Sequence, residues 1–354
     1  MNGPLRVGVV GFGLAGRIFH TGVIDATPGL ELACIVQRSG NEAAQTYPGV
    51  RVARSIEEML LEEGIGLVVL ATPSHTHCEL AEQCLRAGRN VVIDKPFTLA
   101  ADEAARLIRM ARERQLMLTA YQSRRFDGDF RTVRQVVASG ELGRLVSYES
   151  HYDRFRPEPR LERWRENGGP GGGILFDLGS HLVDQALVLF GEPERITAQV
   201  RIERPGAVVD DAFDICLEYE RPHSMIAMLR STTMACAAGP RFVLHGNRGS
   251  FTKWGMDPQE DQLKAGMRFG AEGFGEEPES AWGELRLADG AARRIPTARG
   301  DYRDFYANVR DALLGKAELA VKPEEAWRTT RLIELARESS EQGRRLKVDF
   351  STAP

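Results

Sequence analysis

The chain has 354 residues, too many for one ordinary domain and enough for two. With 42% hydrophobic residues, 27% charged residues and a formal net charge of -4 it has an ordinary globular balance, and nothing in it suggests a nucleic-acid or anionic-membrane partner. The five cysteines (34, 78, 84, 216 and 236) form no CxxC pair, and neither a signal peptide nor an apolar run of the ~18 residues a membrane span needs is evident, which together suit a reducing cytoplasm.

The first third alternates strand and helix. Apolar runs at 5–10, 32–36, 66–71 and 90–93 have the character of strands buried on both faces, as in a parallel sheet. Between them Ser55 with Glu58, and Thr76 with Glu79, have capping-box spacing, and Thr98 can cap a helix with Ala104, Leu107, Ile108 and Ala111 on one stripe. Such alternation indicates an α/β domain with a doubly wound parallel sheet, ending near residue 121.

The remainder, 122–354, changes character. Residues 145–155 alternate, with Val146, Tyr148, Ser150 and Tyr152 on one face. Further strand-like runs fall at 195–203, 213–219, 225–232, 242–246 and 249–253, and helices are expected over 129–139, 176–190, 302–314 and 324–342. This pattern suggests an α+β domain built on a large open, mainly antiparallel sheet.

The motif Gly11-Phe12-Gly13-Leu14-Ala15-Gly16 follows the first strand and opens a βαβ unit, the context in which GxGxxG becomes a strong dinucleotide signal. Gly11 allows the tight turn, Gly13 lets a pyrophosphate approach the backbone, and Gly16 lets helix pack on strand. The second strand ends Val36-Gln37-Arg38-Ser39 with no acid for a ribose 2′-hydroxyl. Arg38 can instead meet a 2′-phosphate, so NADP(H) is favoured over NAD(H), though Arg38 also reads as a plain loop residue. Thr72 and Pro73 end the third strand where the nicotinamide ribose should lie, whereas His77 suits packing or capping.

Two segments carry chemistry. Asp94-Lys95-Pro96 ends the fourth strand, where open α/β sheets present ligands, and its X–Pro bond is a candidate for the cis form. The glycine run 167–173 leads into Asp177 and His181, four apart on an expected helix. Taken alone, each residue has an ordinary surface explanation. Together they suit alcohol dehydrogenation: His181 as the base, Asp177 orienting its ring, and Lys95 donating to the substrate oxygen or sharing the proton relay. Tyr152 and Arg154 are candidate substrate contacts, and Trp164 could cover the nicotinamide or sit in the core. No HExxH or Cys/His spacing indicates a metal.

These segments together resemble the glucose–fructose oxidoreductase/inositol dehydrogenase (Gfo/Idh/MocA) family. The likeness covers nearly the whole chain and rests on GFGLAG, on DKP where the family usually has EKP, and on GGGILFDLGSH. It implies a Rossmann domain plus an open-sheet domain, a homodimer or homotetramer, and catalytic roles for Lys95, Asp177 and His181. The cofactor contacts expected are Gly11, Phe12, Gly13, Leu14, Gly16, Arg38, Thr72, Pro73, Lys95, Pro96 and Trp164. The segments 150–169, 180–191 and 245–266 look most like the NADP-dependent scyllo-inositol dehydrogenase group, which implies a cyclic polyol or sugar substrate. Asp94 and Gln122-Ser123 depart from the usual Glu and His-Asn, leaving substrate identity open. The other readings are a different sugar or carbonyl substrate, or a dinucleotide-sensing protein without catalysis.

Overall fold

A computed structural model describes residues 3–354. Six strands form the first sheet: β1 (Leu5–Val10), β2 (Leu30–Val36), β3 (Arg51–Ala53), β4 (Ile65–Leu70), β5 (Asn90–Asp94) and β6 (Leu118–Tyr121). All pair in parallel in the order β3-β2-β1-β4-β5-β6. The order reverses between β1 and β4, which opens a crevice at the carboxyl ends of those strands. Val7, Val9, Leu67, Val69, Val91 and Val92 are fully buried, as the continuous apolar runs require when helices cover both faces.

The second sheet has nine strands in the order β14-β13-β12-β11-β7-β10-β9-β8-β15. They are β7 (Leu145–His151), β8 (Arg195–Arg201), β9 (Ala212–Tyr219), β10 (Met225–Thr232), β11 (Phe242–Gly246), β12 (Gly249–Lys253), β13 (Gly283–Leu287), β14 (Ala292–Ile295) and β15 (Leu346–Lys347). Only β7 and β10 pair in parallel. One face alternates inward: Phe213, Ile215, Leu217 and Tyr219 of β9 pack with Leu182, Val183 and Ala186 of the helix Ser180–Phe190 and with Leu332 and Ala336 of the helix Pro323–Gln342.

The sheets divide at residue 121, but the cores do not. Tyr302, Phe305, Tyr306, Val309 and Trp327, from late in the chain, are buried in the first domain's core. Tyr121 packs edge-on to Phe305 with ring centroids 4.8 Å apart. This return binds the two domains together with apolar area.

Several local expectations are corrected. The run 145–155 is a strand only to His151; Phe155 then makes a single bridge to Met234. Of the four residues placed on one face, Val146 is exposed, whereas Tyr148, Ser150 and Tyr152 are buried. Ser55 caps its helix by accepting from the Glu58 N–H, but the reciprocal half of the expected capping box is not formed, because Glu58 accepts from the Arg54 N–H at 2.7 Å. Thr76 does not cap its helix, because its hydroxyl turns back to the Pro73 carbonyl at 2.8 Å. Nor does Thr98, whose hydroxyl donates to the Ala100 carbonyl. The N-terminus of the helix Ala101–Glu113 is met instead by Glu334, which accepts from Ala101 N–H at 2.7 Å and supplies the negative charge the helix dipole favours. The helix expected over 176–190 begins as a π-helical segment, Leu175–Gly179, before the regular helix Ser180–Phe190.

Candidate active site

A cleft of about 1420 Å³ runs from the end of β1 to the segment after β7, between the two domains. Gly11, Phe12, Gly13 and Leu14 line one end of it. Gly11 has φ +102°, and a Cβ there would lie 2.6 Å from the Ala71 carbonyl oxygen. A Cβ on Gly13 would meet nothing within 4 Å. The loop is thus tight where the turn needs it and open where a pyrophosphate would rest, and it fits a dinucleotide.

Two expected cofactor contacts do not line the cleft. Gly16 lies under the loop, where a Cβ would stand 2.1 Å from the Gly11 carbonyl oxygen, so its role is packing. Pro96 faces away, toward a small void beside Phe176 and Ile333; the Lys95–Pro96 peptide is cis. Arg38, Thr72 and Pro73 do line it. Arg54, which sequence reasoning passed over, shapes the loop after β2 by donating to the Gln37 and Gly40 carbonyls at 3.0 and 2.8 Å.

His77 is buried and stays out of the cleft lining, with Nδ1 2.9 Å from the Pro96 carbonyl and Nε2 3.0 Å from that of Thr72. It therefore ties the end of β4 to the turn after β5. Asp94, also buried, accepts from the Lys95 N–H at 2.9 Å and stands 3.6 Å from His20 Nε2. Burial pushes its carboxyl up, and His20 and Lys95 more than reverse that.

Lys95 Nζ crosses to the second domain. It donates to Asp177 Oδ1 at 2.8 Å and to the Asp177 carbonyl at 2.6 Å. Asp177 also faces Arg165 at 3.3 Å and Arg154 at 3.7 Å. Burial pushes the Asp177 carboxyl up; Lys95, Arg165 and Arg154 outweigh it and hold the group far below the usual carboxylate range.

The expected pairing of Asp177 with the His181 ring is not formed. The π winding over Leu175–Gly179 changes the register on which a four-residue spacing was judged, and the carboxylate turns to the cations instead. His181 Nδ1 has no hydrogen-bond partner among the described residues. Burial, then Lys95 and Arg124, depress the imidazole well below its ordinary value, so it is neutral at pH 7. Lys95, Asp177 and His181 nonetheless all line the cleft.

Trp164 lines the cleft too, edge-on to His75 with ring centroids 6.5 Å apart and with the Arg165 guanidinium 4.5 Å over its ring. Tyr152 contributes a buried ring whose hydroxyl accepts from Arg124 at 3.1 Å. Arg124 is the largest omission from the sequence reading. It also donates to the Tyr302 hydroxyl at 3.0 Å and pairs with Asp127 and Glu260, so it knits the cleft floor to the returning C-terminal segment. Its signal was visible only as an Arg-Arg pair at the domain junction.

Comparison with known proteins accords with this geometry. Residues 5–122 match the family model described as the oxidoreductase family's NAD-binding Rossmann fold, and residues 134–349 match its C-terminal alpha/beta domain. The chain belongs to the Gfo/Idh/MocA oxidoreductase family. It is 40% identical to the oxidoreductase YdgJ of Escherichia coli, over 96% of this chain and 97% of that protein. It is 35% identical to the scyllo-inositol 2-dehydrogenase (NADP(+)) IolW of Bacillus subtilis, over 98% of this chain and 96% of that one. Among solved structures, the oxidoreductase yvaA of Bacillus subtilis superposes with a TM-score of 0.94 at 35% identity, covering 98% of this chain and 99% of the other. Gfo/Idh/MocA membership makes the protein an enzyme with an NAD(P)-binding domain. Among the described residues no helix is long and apolar enough to cross a membrane, and no cluster of three or more His, Cys, Asp or Glu side chains could hold a metal.

Proposed function

We propose that this enzyme is an NADP(H)-dependent oxidoreductase acting on the secondary alcohol or ketone of a cyclic polyol or sugar. The observation that carries the reading is the convergence of Lys95, Asp177 and His181 on one cleft that begins at the glycine loop. The NADP(H) preference is supported by Arg38 on the cleft wall and by the cofactor printed in the name of IolW. That name also supports the polyol class.

Bound at the glycine loop, the cofactor supplies the nicotinamide that accepts or donates the hydride. This chain's residues handle the proton and the charge. His181, neutral and lining the cleft, can receive the proton of the substrate hydroxyl. Lys95, fixed by Asp177, can donate to the oxygen on which negative charge develops. Asp177 acts on Lys95 rather than on His181, which revises the division of roles expected from spacing. Tyr152 and Arg154 border the substrate side.

The test is a panel of inositols, sugars and their keto forms offered with both cofactors and followed by absorbance of the reduced nicotinamide. Turnover with NADP(H) is expected to exceed that with NAD(H), and Arg38→Ala is expected to weaken NADPH binding in a fluorescence titration. Absence of turnover on every compound despite tight NADPH binding would leave a dinucleotide sensor as the reading.

A further inference from the structure

We infer that Arg154 and Arg156 form an acid-binding subsite beside Lys95 and Asp177, so that the polyol or sugar turned over here carries a carboxylate or phosphate. The inference rests on the oxidoreductase reading above and narrows its substrate class.

Both arginines lie where the chain leaves β7. The N–H groups of Arg154 and Arg156 donate to the carbonyls of Thr232 and Thr233 at 2.9 and 2.7 Å, which holds this segment extended along β10 and its continuation. Both side chains line the cleft.

The two charges are unequally matched by the protein itself: for Arg154, burial is outweighed by Tyr152, Asp177 and Glu260, which raise its proton affinity, whereas Arg156 is less well matched. Asp177 is one carboxylate facing three cations, Lys95 at 2.8 Å, Arg165 at 3.3 Å and Arg154 at 3.7 Å. The longest of these contacts is the share left to Arg154, whose guanidinium otherwise lies 4.8 Å over the Tyr152 ring. Among the described residues Arg156 forms no ion pair within 4.0 Å. Its proton affinity is lowered, first by partial desolvation of a residue that stays exposed to the cleft and then by the like charges of Arg154 and Arg160.

A neutral polyol would leave Arg156 without an ion-pair partner. A carboxylate or a phosphate would accept parallel N–H bonds from a planar guanidinium and neutralise it, the pairing for which arginine is best suited. The cofactor's own phosphates have another place: the glycine loop and Arg38 belong to the first domain, whereas Arg154 and Arg156 belong to the second.

Matched pairs test the subsite in the full-length enzyme with saturating NADP+ or NADPH: glucuronate against glucose, 5-ketogluconate against fructose, and an inositol monophosphate against free inositol. The acidic member of at least one pair is expected to have a kcat/KM more than tenfold above its neutral partner. Arg156→Met is expected to lower that preference by tenfold or more, chiefly through KM, with partial recovery in Arg156→Lys. The Arg156 side chain is exposed, so its replacement leaves both cores intact. The carboxylate and phosphate pairs separate the two anions. Neutral members used as well as or better than every acidic one would overturn the subsite and leave the polyol reading standing, as would an acid preference unchanged in Arg156→Met. No turnover of any member would overturn both.

Discussion

Lys95 Nζ lies 2.8 Å from Asp177 Oδ1 and 2.6 Å from the Asp177 carbonyl oxygen, joining the end of β5 in one domain to the π-helical segment of the other. Two bonds from one ammonium fix its direction, and both are accepted by a residue 82 positions away in sequence. The cleft's chemistry therefore depends on domain packing as well as on the residues themselves.

Asp177→Asn keeps the shape and removes the charge that holds Lys95. We expect kcat to fall by roughly 100-fold, the scale of one misplaced donor in an oxyanion-type site. The Asp177 side chain is 22% exposed, so the stability loss is small beside that of a fully buried pair. Steady-state kinetics alongside a denaturant curve would separate the two; a fall in KM affinity alone, with kcat intact, would contradict the role.

His181 is buried and its imidazole is depressed by burial, Lys95, Arg124 and Arg241, with Asp177 acting the other way. A depressed histidine contributes stability that is full above its unfolded pKa of about 6.5 and is lost as pH falls through the folded value. The acid limb of kcat/KM for alcohol oxidation should accordingly lie below pH ~6.5, and His181→Asn should remove that limb while lowering the rate by about 100-fold or more. A pH–rate profile for both proteins checks this. An acid limb at or above the free-histidine value would exclude His181 as the base.

The glycine loop gives a pair of opposed outcomes. At Gly13 a side chain meets open space in the ligand-free protein, so Gly13→Val should leave the melting temperature nearly unchanged and weaken NADPH binding by tenfold or more. At Gly16 a Cβ collides with the Gly11 carbonyl, so Gly16→Val should cost about 1–3 kcal/mol of stability through overpacking. Calorimetry and a cofactor titration on both variants would read the contrast.

Arg204 is 4% exposed and pins the segment that carries Trp164 and Arg165. It pairs with Asp211 at 2.9 Å and Glu166 at 3.0 Å and donates to the carbonyls of Arg156 and Glu158 at 3.3 Å. Arg204→Met leaves Asp211 unpaired and buried, and should cost about 3–5 kcal/mol. Chemical denaturation would give the loss, and Trp164 should become more accessible to a fluorescence quencher.

Much of this was legible because the signals are local. Strands such as β9, β11 and β12 and the loop Gly11–Gly16 announce themselves through periodicity and spacing within a few residues. What was not legible is non-local. Glu334 meets the N-terminus of a helix 233 residues earlier, Arg124 reaches Tyr302, and Trp327 returns to the first core. The π winding at Leu175–Gly179 has no pattern of its own, and it redirected Asp177 from His181 to Lys95. Sequence singled out Lys95, Asp177 and His181, which line one cleft, but their pairing is set by packing.

The most direct test of the central claim is the rate of NADP+ reduction by the best polyol or sugar of the panel, compared between the native enzyme and Lys95→Met. The native enzyme should turn over, and the variant, folded by circular dichroism, should lose about 100-fold or more in kcat. A Lys95→Met enzyme with native kcat would contradict the claim that the chemistry is centred on Lys95, Asp177 and His181.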